Sequence, residues 1–482
     1  TVQLDQGIFE GRTTVAPNGG GLVNQYLGIP FAAPVQRFEP PRPPFNNQGI
    51  RRAVDQMPAC FQVFSGSPPE RAFNERVFNN PPPREAEDCL QLNVYTPANG
   101  GNNKAVMVWF FGGGFVFGGG GLPIYDGSSF AANQDIVVVA PNYRTNVFGF
   151  PGNESGLPQN ERNLGFLDQR AALQWVQRNI QRFGGDPSQV TIFGESAGAA
   201  SVDLLLLTRQ QGFRAAILQS GTAGITDAMM MMNGNNNGRF NNGNSGWQEL
   251  ANALNCGNNG NFNNGGGGNS FQCIRNAPAE LIKQIVQDRG LSFTPVYDGN
   301  TLPAGAERLR RDGRLNKVPI MIGSNANEAT IFLAAQTGGI PSIDLQQVLQ
   351  NMFPGNGNFQ NQLRNLYPVG PGREFGSDFE AASQIATDYA FGCPAEQAAR
   401  DSARTGVRTW RYMYNASFPN QDIFPGSKVY HSSEIPMVFG TYGSTPSQFP
   451  PTDLQRQLSS NMQNAWARFA RSPNDGPGWN RV

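Results

Sequence analysis

The stretch Gln189-Val-Thr-Ile-Phe-Gly194-Glu195-Ser196-Ala197-Gly198 decides the fold of this chain. Its β-branched part, residues 190–193, predicts a buried strand, and the small residues after Ser196 open a predicted helix that runs to residue 207. A serine at such a junction lies at the tip of a turn so tight that its backbone is strained, and the residues two before and two after it must be small. Gly194 and Gly198 fill these places. The alternative interpretation is a Gly/Ser-rich surface turn, because five-residue matches also occur by chance.

A strand-turn-helix of this kind makes a serine hydroxyl accessible and reactive. It lifts Ser196 clear of the sheet and directs the positive end of the following helix at negative charge that develops beside it. Ser196 is therefore the candidate nucleophile.

Strand and helix patterns alternate on both sides of this turn. Predicted strands cover 104–112, 136–140, 190–193, 215–218, 318–323 and 407–414, and predicted helices cover 167–183, 247–254, 279–287, 379–389, 394–402 and 454–470. Alternation at these intervals means parallel strands joined by crossover helices. The sequence predicts an α/β fold with a large, mostly parallel, doubly wound sheet, helices on both faces and long insertions. Turn signals in the first 50 residues predict an antiparallel start, and 229–244 and 258–268 are close to low complexity.

Composition excludes several classes of function. The 482 residues carry 36 basic and 36 acidic side chains, so no global field attracts nucleic acid or an anionic membrane surface. No apolar run has the 18 or more residues that a membrane span needs. The numbering opens at Thr1 rather than methionine, and Asn153 and Asn415 begin Asn-x-Ser sequons. These features favour a mature, secreted chain with two candidate glycosylation sites.

Five cysteines bear on the compartment. Cys60 and Cys89 bracket one segment and Cys256 and Cys273 another, which leaves Cys393 over. Two local bridges would each remove about 3 to 4 kcal/mol of loop entropy from the unfolded chain. The pairing does not follow from the sequence alone, and five reduced thiols in a cytosolic protein are the alternative.

A serine nucleophile needs a base and an acid that orients it. His431 is the only histidine of the chain, so it is the only candidate for a histidine base. It lies after the last predicted strand, in the chain order Ser, Asp/Glu, His that this fold uses. Glu328 follows the predicted strand 318–323, at the sheet edge where doubly wound folds build their sites. An ordinary structural histidine and a solvated glutamate at a helix start are the alternatives.

Backbone amides beside the serine would bind the oxyanion. The loop Phe111-Gly112-Gly113-Gly114-Phe115 follows the predicted strand 104–112 without side chains that would block its N–H groups. With the amide of Ala197 these would supply two or three donors, each worth about 3 to 4 kcal/mol of transition-state stabilisation. A phosphate-binding loop is disfavoured, because no Gly-Lys-Ser/Thr follows and the spacing does not match G-x-G-x-x-G.

The chain resembles the type-B carboxylesterase family of α/β-hydrolases, which includes secreted fungal lipases, animal carboxylesterases and cholinesterases. The matches run in order through nearly the whole chain: Gly28-Ile-Pro-Phe-Ala32, Glu87-Asp-Cys-Leu-Gln-Leu-Asn93, the Gly-rich loop, Asn142-Tyr-Arg144, Asn163-Leu-Gly-Phe-Leu-Asp-Gln-Arg170, Phe183-Gly-Gly-Asp-Pro187, the Gly-Glu-Ser-Ala-Gly turn, Gln219-Ser-Gly221, and the segments around Glu328 and His431. Phe111, where many members carry histidine, resembles the fungal lipases.

The resemblance implies an α/β-hydrolase domain over residues 1–482 and roles for its residues. It implies the nucleophile Ser196, the acid Glu328, the base His431, and the oxyanion donors Gly113, Gly114 and Ala197. It also implies the disulfides Cys60–Cys89 and Cys256–Cys273, with Cys393 free. Neither a metal nor an organic cofactor is needed for this chemistry.

The expected activity is hydrolysis of uncharged carboxylic esters of small molecules or lipids. The Cys60–Cys89 loop lacks the tryptophan on which cholinesterases hold a cation, so choline esters are not expected to be preferred. Its four phenylalanines among Ser, Pro, Glu and Arg predict a lid-like surface loop that transiently contacts lipid. A true interfacial lipase on long-chain acylglycerols or sterol esters is one alternative, and a non-catalytic adhesion protein of the same superfamily is another.

Overall fold

The computed structural model describes residues 1–17, 20–226, 246–256, 268–444 and 447–482. The low-complexity segments 229–244 and 258–268 lie outside these described residues, except for Gly268. The strands are β1 Val2–Leu4, β2 Gly7–Glu10, β3 Arg12–Val15, β4 Leu22–Pro30, β5 Ile50–Arg52, β6 Gln91–Pro97, β7 Lys104–Phe110, β8 Val137–Pro141, β9 Gly185–Glu195, β10 Ala215–Gln219, β11 Ile320–Asn325 and β12 Thr409–Tyr414.

The helices surround these strands. They are α1 Pro68–Phe78, α2 Ser128–Gln134, α3 Asn146–Gly149, α4 Leu164–Asn179, α5 Ala197–Leu207, α6 Gly246–Ala253, α7 Gly268–Asn276, α8 Ala279–Asp288, α9 Ala306–Arg311, α10 Thr330–Ala335, α11 Leu345–Met352, α12 Gly357–Leu366, α13 Asp378–Thr387, α14 Cys393–Arg404, α15 Ile435–Phe439 and α16 Asp453–Arg471. None of the described helices combines the length and the apolar character that crossing a membrane requires.

A nine-stranded sheet organises the described part of the chain, in the order β12-β11-β10-β9-β7-β8-β6-β4-β3. The pairs from β12 to β8 are parallel, whereas β8/β6, β6/β4 and β4/β3 are antiparallel. The central parallel strands β7, β8 and β10 are mainly apolar and buried on both faces, and every residue of these three strands is buried. A separate small sheet has the order β1-β2-β5. The predicted fold class and antiparallel start are confirmed.

Strand β9 runs into helix α5 at the centre of this sheet. Its neighbours are β7, whose end leads into the Gly-rich loop, and β10. The predicted strand 190–193 begins earlier than expected, at Gly185, whereas the predicted helix to residue 207 has the observed end. Because parallel strands end at the same sheet edge, the loops after β7, β9 and β11 meet there.

The disulfide-bounded segment 60–89 differs from the surface loop that the sequence predicts. It contains helix α1, and Phe61, Phe64 and Phe73 are buried in it rather than exposed. The hydroxyl of Ser67 caps this helix by accepting a hydrogen bond from the amide of Glu70, at 3.4 Å. Ser67-Pro-Pro-Glu70 is a capping signal with prolines in the first turn, which is typical of a helix start. The residues after it lack apolar periodicity, so the periodicity alone does not predict this helix.

Two disulfides join the cysteines as the resemblance implies. Cys60–Cys89 closes the segment that carries α1, and Cys256–Cys273 links the end of α6 to α7. Cys393 is free and exposed.

Candidate active site

Ser196 lies at the turn between β9 and α5 with a strained backbone. Its φ of 56° and ψ of −123° are outside the regions that serine ordinarily occupies. Its amide donates to the carbonyl of Gln219 at 2.9 Å, which ties the turn to the end of β10. Helix α5 begins at the next residue, so the positive end of the helix lies beside the serine.

The glycines around the serine are required by close approach of backbones. A Cβ on Gly198 would lie 1.9 Å from the carbonyl oxygen of Phe110, and one on Gly194 would lie 2.6 Å from the carbonyl carbon of Gly198. A side chain at either position would therefore push the turn away from β7. The sequence-based requirement for small residues at these two positions is met for this reason.

The Gly-rich loop after β7 lies against the serine. A Cβ on Gly112 would be 3.0 Å from Cβ of Ser196, so this position too must be glycine. Gly113 and Gly114 have φ values of 108° and 59°, which glycine adopts without strain. Among the hydrogen bonds of the described residues, none uses the amide N–H of Gly113, Gly114 or Ala197. These three groups are the sequence-predicted oxyanion donors.

His431 and Glu328 meet although 103 residues separate them. Nδ1 of His431 lies 2.7 Å from Oε2 of Glu328, and both side chains are buried. A carboxylate can only accept, so Nδ1 carries the proton and Nε2 of the neutral imidazole carries none. Glu328 is held in turn by the amide of Asn325, which donates to Oε1 at 2.7 Å.

Phenylalanine rings pack against the imidazole. The ring centroids of Phe332 and Phe391 lie 4.9 and 4.8 Å from that of His431. Phe332 comes from α10, soon after Glu328, whereas Phe391 comes from the turn between α13 and α14. The two rings restrict the orientation of the imidazole and keep water from it.

Ser196 and His431 line the same cavity, of about 190 Å³. Gly112, Gly113 and Gly114 line one side of it. The remaining lining is mainly apolar, and comprises Phe78, Phe117, Leu122, Tyr125, Ile225, Phe332 and Phe391 with Asn74, Gly118, Glu195 and Ser432. The cavity thus brings together the candidate nucleophile, the candidate base and two of the three candidate oxyanion donors, Gly113 and Gly114.

Glu195 is a buried carboxylate that sequence reasoning missed as a site residue. Its Oε1 lies 2.9 Å from Nε2 of His431 and accepts a hydrogen bond from the hydroxyl of Ser432 at 2.7 Å. Within the described residues, however, Nε2 has no hydrogen-bond partner of acceptable geometry. The sequence does contain a signal for this residue, because Glu195 immediately precedes the candidate nucleophile Ser196.

Several carboxylates set the electrostatics of the site. Burial disfavours the imidazolium, but the carboxylates of Glu195 and Glu328 outweigh it and raise the pKa of His431 well above its usual 6.5. Burial, with the charges of Glu195 and Glu328, raises the pKa of Glu434 to about 7. Glu434 accepts hydrogen bonds from the side-chain amides of Gln219, at 3.0 Å, and Asn325, at 2.7 Å.

No group of three or more His, Cys, Asp or Glu that could hold a metal ion occurs in the part of the chain that the structure describes.

The chain is similar to known esterases over nearly its whole length. A family model described as the carboxylesterase family matches residues 1–482. The chain is 33% identical to the acetylcholinesterase of Bungarus fasciatus, an alignment that covers 94% of this chain and 75% of that protein. It is 32% identical to the cholinesterase of Mus musculus, over 94% of this chain and 76% of that one. It is 31% identical to the para-nitrobenzyl esterase of Bacillus subtilis (strain 168), over 94% of this chain and 87% of that protein.

Proposed function

The chain belongs to the carboxylesterase family and is a carboxylic ester hydrolase, and we propose that it cleaves uncharged esters through an acyl-enzyme on Ser196. In this proposal His431 is the general base and Glu328 the carboxylate that orients it. The observation that carries the proposal is the position of the only histidine. Its Nδ1 contacts a buried carboxylate while its unbonded Nε2 belongs to a side chain that lines the same cavity as Ser196.

Acylation begins with attack on the ester carbonyl. The Ser196 oxygen forms a bond to the carbonyl carbon as its proton passes to Nε2 of His431. The negative oxygen that results accepts hydrogen bonds from the amides of Gly113, Gly114 and Ala197. The C–O bond to the alcohol then breaks, and the alcohol leaves with the proton from Nε2. Water repeats the sequence on the acyl-enzyme and releases the acid.

The substrate class follows from the lining of the cavity. Aromatic and aliphatic side chains dominate it, and no tryptophan lies in the Cys60–Cys89 segment to bind a quaternary ammonium. A cation–π contact is worth up to about 2 kcal/mol when it is desolvated, so its loss disfavours choline esters by up to about 30-fold. Although two of the relatives are cholinesterases, we expect neutral esters to be preferred.

The cavity size favours a general carboxylesterase over an interfacial lipase. An engineered cavity of about 150 Å³ binds benzene, so about 190 Å³ accommodates a short acyl chain or a single ring. Helix α1 contributes Asn74 and Phe78 to the cavity, and the stacked rings of Phe64 and Phe117, 4.6 Å apart, support that side. An interfacial lipase would require helix α1, which forms this side of the cavity, to move away at a lipid surface.

Hydrolysis rates measured through the solubility limit distinguish these two activities. We expect dissolved butyrate esters to be cleaved faster than emulsified long-chain esters, with no jump in rate when droplets form. An abrupt rise in rate at the solubility limit would instead support an interfacial lipase in which helix α1 moves.

The nucleophile is tested with Ser196→Ala and a chromogenic short-chain ester. We expect loss of at least about 10⁴-fold in kcat, and loss of covalent labelling by an organophosphonate. Ser188→Ala, at the exposed start of the same strand β9, is the matched control and retains both. Full turnover by Ser196→Ala would contradict the proposal, whereas a wild-type chain that is neither labelled nor active would favour the non-catalytic adhesion alternative.

Secretion and glycosylation also belong to the proposal. Two disulfides suit an oxidising compartment. Asn415 is exposed, whereas the side-chain oxygen of Asn153 accepts a hydrogen bond from Arg162 at 3.1 Å and Ser155 is buried. We expect glycan at Asn415, detected as a change in electrophoretic mobility on glycosidase treatment of secreted protein that Asn415→Gln abolishes.

A further inference from the structure

Ser432 is a cavity-lining residue that the proposed mechanism does not use. It follows His431 directly and has a φ of 76°, in the left-handed region that favours glycine. A non-glycine residue held there is strained. Its hydroxyl donates to Oε1 of Glu195 at 2.7 Å. The strained backbone therefore directs a hydroxyl at the carboxylate that adjoins the catalytic imidazole.

The carboxylate of Glu195 is confined on both sides. Its Oε2 packs against the Gly-rich loop, where a Cβ on Gly112 would lie 2.6 Å away. Its Oε1 is approached both by the hydroxyl of Ser432 and by Nε2 of His431, at 2.7 and 2.9 Å. Only the Ser432 contact has hydrogen-bond geometry, since Nε2 has no partner among the described residues. When Nε2 is protonated, it and the Ser432 hydroxyl compete for this oxygen, and it is the Ser432 hydroxyl that makes the hydrogen bond.

We infer that Ser432 is a positioning residue, which holds the Glu195 carboxylate out of line with Nε2 of His431 and so leaves that nitrogen for Ser196. This inference rests on the proposed function, because it takes His431 as the base. Without the Ser432 hydroxyl, Oε1 is free to form an aligned, charge-assisted hydrogen bond with a protonated Nε2. The imidazolium is then stabilised and the neutral base is less populated.

The other ionisable groups around the imidazole are the same in the wild type and in a Ser432 variant. Glu328 faces Nδ1 from the loop after β11, and Glu434 lies beyond it at the start of α15. Three tyrosines interact electrostatically with these carboxylates: Tyr125 in the segment before α2, Tyr143 just after β8, and Tyr412 on β12. Burial raises the pKa of all three tyrosines, so they are neutral near pH 7. Only the Ser432 hydroxyl changes between the compared proteins.

The test uses the fact that His431 is the only histidine. Selective ¹⁵N labelling of histidine produces signals from this one imidazole, so its pKa is measured directly by NMR titration of the intact protein, without turnover. We expect Ser432→Ala to raise the pKa of His431 by about one unit, a tenfold gain in proton affinity. The acid limb of the kcat/KM profile should move to higher pH by the same amount.

Two further variants separate positioning from structure. Ser432→Gly also lacks the hydroxyl but relieves the positive φ, so it should fold at least as well as Ser432→Ala and show the same upward pKa shift. Ser433→Ala is the matched control, because Ser433 is the adjacent serine and contacts Asn325 rather than Glu195, at 3.4 Å. It should leave the pKa of His431 unchanged.

The outcomes distinguish this inference from the proposed function. If Ser432→Ala and Ser432→Gly leave the pKa of His431 unchanged or lower it, the positioning role is wrong. Such a result would leave the proposed mechanism intact, provided that Ser196→Ala is inactive. An active Ser196→Ala would instead remove the proposed function, while the NMR titration would still report whether Ser432 controls the imidazole.

Discussion

The residue scale of this protein is dominated by close contacts around Ser196. Its positive φ, the glycines at 194 and 198, and the approach of Gly112 make one strained, densely packed turn. The strain is maintained because the amide of Ser196 bonds to Gln219 and the surrounding strands are fully buried. The proposed acid and base, in contrast, depend on side-chain hydrogen bonds, so they are the positions at which conservative substitutions are most informative.

Glu328→Gln tests the orientation of the imidazole. The amide oxygen of glutamine can still accept from the amide of Asn325, which donates at 2.7 Å, so its NH₂ group would face Nδ1. This favours the tautomer with the proton on Nε2, which cannot act as a base. We expect kcat to fall by about 10³- to 10⁴-fold with little change in melting temperature. Steady-state kinetics and circular dichroism measure the two effects, and wild-type activity would contradict the role of Glu328.

The pH dependence tests the charges around His431. Since neighbouring carboxylates raise its pKa above 6.5, and a general base must be neutral, kcat/KM should fall as the pH drops through this raised value. Glu195→Gln removes one of the negative charges that stabilise the imidazolium. We therefore expect its acid limb to move to lower pH, opposite to the shift expected for the Ser432 variants. An unchanged or higher midpoint would show that Glu195 does not control the base.

At the scale of elements, helix α1 determines how much of the cavity is enclosed. The Cys60–Cys89 disulfide closes the segment that contains this helix. The helix also packs against the rest of the chain through Phe73, whose ring centroid lies 6.1 Å from that of Phe424. Phe78, at its end, lies 5.6 Å from Phe117 and reaches the cavity. The size of the acyl or alcohol group that fits is therefore expected to depend on a single helix.

Phe78→Ala tests this dependence on α1. Removing the ring enlarges the cavity, so kcat/KM for an octanoate ester should rise about tenfold relative to that for an acetate ester. Val77→Ala is the matched control, because Val77 packs against the same hydrophobic cluster as Phe78 but does not line the cavity. The ratio of the two kcat/KM values is the measurement. Equal ratios in Phe78→Ala and wild type would show that α1 does not limit substrate size.

Buried ion pairs join distant parts of the whole molecule. Arg144, after β8, donates from Nη2 and Nε to the two carboxylate oxygens of Asp168 on α4, at 2.7 and 2.8 Å. A second pair joins Asp203 on α5 to Arg310 on α9. Both pairs are buried, so either partner alone would be an uncompensated charge in the interior. They hold the elements around the sheet in one arrangement.

Asp168→Ala tests the buried pair. It leaves the Arg144 guanidinium without its partner, so the free energy of unfolding should fall by about 3 to 5 kcal/mol. Asp453→Ala removes one partner of a surface pair with Arg456, 2.6 Å apart, and should cost at most about 1 kcal/mol. Urea unfolding followed by fluorescence compares the two variants. A similar loss in both would contradict the distinction between buried and exposed pairs.

Local patterns predicted much of the architecture. Mainly apolar runs predict β7, β8, β10 and β11, because strands buried on both faces are continuously apolar. Apolar periodicity does not predict helix α1, because most of its residues are polar or exposed and it begins with two prolines. Its capping residue Ser67 is nevertheless recognisable in the sequence. The roles of Ser432 and of the two phenylalanines that enclose His431 could not be predicted, because their significance lies in contacts with other segments.

The sequence by itself determined the strand-turn-helix at Ser196, the glycines that this turn requires, and the identity of the only histidine. These follow from local sterics and from composition. Only the tertiary structure decided that Glu328 meets Nδ1 of this histidine and that Glu195 and Ser432 adjoin its Nε2. The physical reason is that parallel strands bring segments more than 100 residues apart to one sheet edge, and the resulting contacts leave no periodic trace in the sequence.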